Sequence, residues 1–188
     1  MCGIAGFVDD ASDDDADARL RIMGQAIAYR GPDDSGTYYD ASTGVGFVHR
    51  RLAIVDLSSA GHQPMRSSSG RFVIIFNGEI YNHAALRREL EASGHGLDWR
   101  GHSDTETLLR GFEIWGVKET LARAVGMFAF ALHDRETRHI VLARDRMGEK
   151  PLYYGMNQGV FLFGSELKAV RAHPAFQSDI DRQSLLSL

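Results

Sequence analysis

The chain has 188 residues, 44% of them apolar, a formal net charge of −4 and one cysteine. That length and apolar share suit a single domain with its own core, and the mild acidity argues against nucleic acid or an anionic membrane surface as a partner. One thiol excludes an internal disulfide framework and a cysteine-based zinc site and fits a reducing cytoplasm, while no apolar run nears the ~18 residues of a membrane span.

The first strand is predicted at GIAGFV, residues 3–8. The stretch before it has neither the basic nor the apolar segment of a signal peptide. Six aspartates crowd VDDASDDDADAR, which reads as a solvated loop. Residues 16–29 carry Leu20, Met23, Ala26 and Ile27 at helical spacing. RGPDDSG (30–36) then breaks the pattern with turn chemistry. GVGFVHRRLAIV (44–55) alternates like a strand, and RFVIIF (71–76) is a continuous apolar run suited to a strand buried on both faces. The NGE that follows reads as a turn that halts it.

Two helices are predicted next, at 83–94 and at 103–116. Ser103 and Glu106 have capping-box spacing, which makes Ser103 the N-cap. Strands return at 127–134, 139–144, 151–156 and 160–165, with DRETR and NQG as hairpin loops. ELKAVRAH closes the compact part as a short helix, and 174–188 reads as a linker. Strands at both ends with helices grouped between them indicate an α+β layered domain over 1–173. His49, His62, His83, His95 and His102 show no ligand spacing, so no metal site is expected and they read as surface or hydrogen-bonded histidines.

Cys2 is the residue whose position raises a chemical question. Loss of the initiator methionine would give it a free α-amine with an ordinary pKa of about 7.7–8.0, low enough to serve as a general base beside the thiol nucleophile. On position alone, an inert small hydrophobe is the commoner role for a lone cysteine. Other residues shift that balance. Asn77 and Gly78 offer a side-chain amide and an unobstructed backbone N–H as oxyanion donors, although Asn-Gly is also an ordinary turn. Arg50 and Arg51 are candidate carboxylate forks. Asp104 is a candidate ammonium partner, or simply a favourable charge in the first turn of a helix.

In this order MCGIAG, RGPDDSG, HRRLAIVDLSSAGHQP, NGEIYNHAALRREL, SDTETLL, GMFAFALHD, ARDRMGEKPLYY and SELKAV occur. Together they resemble the N-terminal glutaminase domain of glutamine-hydrolysing asparagine synthetases, class II amidotransferases among the N-terminal-nucleophile hydrolases. The resemblance covers Met1 to about Val170. It implies a four-layer αββα sandwich of two antiparallel sheets, with the site between them. It implies Cys2 as nucleophile, Asn77 and Gly78 as oxyanion hole, and Arg51 on the α-carboxylate of L-glutamine. Leu52, Ile54 and Val55 would line the pocket, Glu79 and Asp104 would hold the substrate ammonium, and Arg30 would support the nucleophile. No cofactor is implied for this domain. ATP and magnesium would belong to a synthetase domain, the partner of this one, of which 174–188 would be the approach. Oligomeric state is left open, a homodimer included.

Two departures stand out. There is no glycine-rich phosphate loop, SSSG (67–70) being too short, and Glu149 takes a position more often apolar in the family. The competing possibilities are a catalytically silent scaffold and a docking module, since some relatives that form other amides lack the cysteine.

Overall fold

A computed structural model of the chain describes residues 1–9, 15–94 and 98–177. The middle of the acidic stretch, His95 and most of the predicted linker lie outside the described residues. Within them are nine strands: β1 (Gly3–Val8), β2 (Asp34–Asp40), β3 (Val45–Arg51), β4 (Met65–Arg66), β5 (Phe72–Ile80), β6 (Gly126–Asp134), β7 (His139–Arg144), β8 (Tyr153–Asn157) and β9 (Val160–Gly164). They form two antiparallel sheets, ordered β2-β3-β1-β9-β8 and β4-β5-β6-β7. The helices are α1 (Ala16–Ala26), α2 (His83–Ala92), α3 (Asp104–Ile114), α4 (Val117–Arg123) and α5 (Leu167–Arg171). No helix among the described residues is long and apolar enough to cross a membrane.

The alternation of side chains along each strand builds the layers. From β5 and β6, Phe72, Ile74, Phe76, Phe128, Phe130 and Leu132 pack with Leu86, Leu108 and Phe112 of α2 and α3. The intervening Val73, Ile75, Ala129 and Ala131 meet Ile4, Phe47 and Phe163 of the other sheet. Behind that sheet, Ala5 and Phe7 pack with Leu20 and Met23 of α1 and with Ala169 and Val170 of α5. The order is therefore helix, sheet, sheet, helix, as expected. Each fully buried Phe or Ile contributes about 1.5–3 kcal/mol of transfer free energy; β5 presents such residues on both faces, while β6 turns Phe128, Phe130 and Leu132 toward the helices and the small Ala129 and Ala131 toward the other sheet.

Several local expectations change. The NGE segment is not a turn: β5 continues through it, pairing Asn77 with Ala129, Gly78 with Phe128 and Glu79 with Met127. β6 is long enough to pair this whole stretch, and Gly78 lies so close to the Met127 carbonyl and Phe128 that any Cβ there would overlap them. β3 stops at Arg51, leaving Leu52 to Val55 as loop. α1 ends at Ala26 and a tight turn carries the chain through Ala28–Arg30. β2 and α4 were not predicted. β2 is an edge strand of DSGTYYD whose residues, Tyr38 apart, are not buried, and α4 is a single short segment after Gly116 at φ 82. Ser103 does cap α3, its Oγ accepting from Glu106 N at 3.2 Å. The Glu106 carboxylate, however, reaches back to Arg100 N at 2.8 Å and Gly101 N at 3.0 Å, tying down the loop before the helix.

Candidate active site

Strand parity brings the reactive groups together. Ile4 of β1, Val45 and Phe47 of β3, and Val73 and Ile75 of β5 all face the space between the sheets. Two-residue periodicity puts Cys2, Arg51, Asn77 and Glu79 on that same side. At one end of the sandwich the apolar filling gives way to a cleft enclosing about 710 Å³, part of it open to solvent. Its lining includes Met1, Cys2, Arg51, Leu52, Ile54, Val55, Asn77, Gly78, Glu79 and Asp104. Every predicted site residue except Arg30 is thus at the cleft wall.

Cys2 precedes β1, beside the end of β3. Its Sγ accepts from Leu52 N at 3.4 Å and lies 3.6 Å from Leu52 O. Burial pushes the thiol up, opposed by the Leu52 N–H, the chain's N-terminal charge and Arg51. Arg30 holds the residue from behind: its Nε donates to Cys2 O at 2.9 Å and its Nη1 bonds Glu166 Oε1 at 2.6 Å. Lys168 at 3.1 Å and the Tyr29 hydroxyl complete the grip on Glu166.

Arg51 is buried, with Nη1 donating to Ser58 O at 3.0 Å and Nη2 to Asp56 O. The loop after β3 wraps the guanidinium so closely that a Cβ at Gly61 would strike it. A guanidinium has five N–H donors, so donors remain for a ligand in the cleft. Across the cleft, Asn77 is 1% exposed and its Nδ2 has no partner among the described residues. Asp104 starts α3. Its Oδ2 accepts from Ile80 N at 2.9 Å, which ties the helix to the end of β5. Burial pushes this carboxyl up, with the Ile80 N–H and His83 opposing; a cation arriving in the cleft would favour its ionised form.

The cleft also has walls that the sequence did not point out. Gln63 is buried, its Oε1 accepting from Phe76 N at 2.7 Å and its Nε2 reaching Thr105 Oγ1 at 3.4 Å. Lys150 is buried with Nζ 3.2 Å from Met1 Sδ. The turn that presents it is organised by Asp145, which accepts from Phe128 N, Glu149 N and Lys150 N at 3.2, 2.9 and 3.1 Å. The DRMGEKPLYY segment was the signal for this turn. Glu149 itself is exposed, so the unusual charge there stays in water.

In one cleft this arrangement combines a thiol, a fixed guanidinium, a buried amide donor and the carboxylates of Asp56, Glu79 and Asp104. The family description that matches residues 1–188 is "Glutamine amidotransferase domain". Asparagine synthetase (glutamine-hydrolyzing) 3 of Bacillus subtilis (strain 168) is 40% identical over 188 residues, covering 98% of this chain and 30% of that protein. A putative asparagine synthetase (glutamine-hydrolyzing) of Mycobacterium tuberculosis is 39% identical over 201 residues, again 98% of this chain and 30% of the relative. Among solved structures, glutamine phosphoribosylpyrophosphate amidotransferase from B. subtilis superposes with a TM-score of 0.72 at 21% identity, covering 91% of this chain and 43% of that one. The chain therefore spans about a third of the length of these curated relatives.

Proposed function

Because the chain belongs to the glutamine amidotransferase domain family, we propose that it hydrolyses the side-chain amide of L-glutamine through a Cys2 thioester. On this reading the ammonia serves an ATP-dependent asparagine synthetase portion outside the chain. ATP and magnesium belong to that portion, and no residue here is assigned to them.

Arg51 takes the substrate α-carboxylate on its remaining donors, while Glu79 and Asp104 take the α-ammonium. That fixes the side chain along the cleft toward Cys2. The α-amine of Cys2, freed by methionine removal, accepts the thiol proton as Sγ attacks the carboxamide carbon. The carbonyl oxygen becomes an oxyanion held by Asn77 Nδ2 and Gly78 N–H. The α-ammonium passes its proton to the departing nitrogen, and the C–N bond breaks to leave a thioester. Water, deprotonated by the same amine, attacks the thioester and releases glutamate.

The observation that carries this reading is the buried, unpartnered Nδ2 of Asn77 in the same cleft as Cys2 and Arg51. A donor left unpaired in a protein interior is costly, and a passing oxyanion gives it a partner. While Met1 is attached, the Cys2 nitrogen is an amide and cannot act as a base. The test pairs intact mass with glutaminase assay. Chain lacking Met1 is expected to release ammonia and glutamate one to one, and chain retaining it is expected to be inactive. Processed chain that releases no ammonia at any glutamine concentration overturns the proposal in favour of a silent scaffold.

A further inference from the structure

His49 lies on β3, fully buried, and its Nε2 is 3.1 Å from Phe76 O on β5 in the other sheet. A carbonyl accepts, so Nε2 carries the proton and Nδ1 is the bare nitrogen, which has no partner among the described residues. The accepted oxygen belongs to the peptide bond between Phe76 and Asn77. β4 pairs β5 only as far as Ile74, so past that point this edge of β5 has no strand beside it. Side chains replace the strand: Gln63 takes Phe76 N at 2.7 Å and His49 takes Phe76 O.

The placement of His49 within its own sheet gives this bond its meaning. It precedes Arg51 by two residues on the same face of β3, and it pairs with Ile4, two residues past Cys2 on β1. Two residues along a strand span about 7 Å. One rigid corner of the first sheet therefore carries the thiol, the guanidinium and the imidazole, and the imidazole grips the peptide that carries Asn77. Burial, partly offset by the Phe76 carbonyl, lowers the imidazole to about 4, so it stays neutral through any neutral-pH assay.

We propose that His49 is a positioning residue: its Nε2–H bond to the Phe76 carbonyl sets the Asn77 amide at the distance from Cys2 that the oxyanion requires. The proposal rests on the glutaminase reading above. The bond touches neither substrate nor nucleophile, so it acts on the two steps in which an oxyanion forms, thiol attack on the amide and water attack on the thioester. Misplacement of a catalytic group by about 1 Å can cost 10²-fold.

The test uses the processed chain with His49→Leu and His49→Gln, reading kcat, KM for glutamine, and the rate of Cys2 alkylation by iodoacetamide. Alkylation needs the thiol but no oxyanion hole. Leucine is expected to lower kcat by about 10- to 100-fold while KM and alkylation stay within about threefold. Glutamine at position 49, with a side-chain N–H donor, is expected to recover much of the loss. A folded leucine variant with unchanged kcat overturns the proposal, as does one that loses kcat, KM and alkylation together. Should the leucine variant fail to fold, His49→Phe, which keeps a flat ring and lacks the N–H, carries the same expectation and the same refutation. A parent enzyme that releases no ammonia would instead refute the glutaminase reading itself.

Discussion

Replacing Asn77 with alanine should separate turnover from stability. The residue is 1% exposed and its Nδ2 finds no partner among the described residues. A buried donor left unpaired costs about 1–3 kcal/mol. On the proposed reading the donor goes unpaired until an oxygen arrives between Asn77 and Cys2. Alanine removes the donor and its cost together, losing only the packing of a short polar side chain. The variant is therefore expected to melt at or above the parent's Tm. Loss of one oxyanion donor lowers kcat by roughly 10²–10³, or about 2.7–4 kcal/mol of barrier. On the proposed reading Arg51, Glu79 and Asp104 hold the substrate and Asn77 does not, so KM should move by less than about threefold. The assay is glutamate release by the processed chain, with calorimetry on the same preparation. Turnover within threefold of the parent would refute the donor role. A Tm several degrees lower would refute the argument that the unpaired amide is a stability cost held for catalysis.

Arg51→Lys keeps the charge but loses the planar fork, and the wrapped loop leaves a single ammonium little freedom to find the substrate carboxylate. KM for glutamine is expected to rise about 10- to 100-fold with kcat much less affected; an unchanged KM would remove Arg51 from substrate binding. Glu166 supports Cys2 through Arg30. Burial alone would raise its carboxyl, but hydrogen bonds from Tyr29, Arg30 and Lys168 outweigh burial and hold it at about 2, below its ordinary 4.5. A folded value below the unfolded one means stability that is complete above pH 4.5 and lost as pH falls toward 2. Glu166→Gln should flatten the fall of Tm across that acid range, and an identical slope in parent and variant would show that this ion pair is not a source of acid sensitivity.

Much of the layered fold was legible because its strands are long and apolar. RFVIIF carries bulky apolar residues at nearly every position, which suits a strand buried on both faces, and GMFAFALHD alternates large Phe and Leu with small Ala; those stretches are β5 and β6. The α3 cap was legible because a serine three residues before an acidic residue is a local signal, realised by a local bond from Glu106 N to Ser103 Oγ. β2 was not legible, since DSGTYYD has turn composition and becomes a strand only because β3 offers it an edge. The end of β5 was misread for a related reason. Asn-Gly favours a turn locally, but nine consecutive partners on β6 outweigh that preference.

The candidate site divides along the same line. The sequence by itself determined which groups are available: a thiol next to the initiator methionine, arginines at the end of a strand, an Asn-Gly pair after an apolar run, and an acid at a capped helix start. Those are matters of residue type and short spacing. Only the tertiary structure decided that Cys2, Arg51 and Asn77, which lie 26 or more positions apart in sequence, share one face, because that follows from the parity of three strands in two sheets. The tertiary structure alone also decided that Asn77 Nδ2 stays unpaired, that Lys150 and Gln63 wall the cleft, and that a buried histidine ties one sheet to the other. Each of these depends on which backbone groups a neighbouring strand leaves free, and a linear pattern does not encode that.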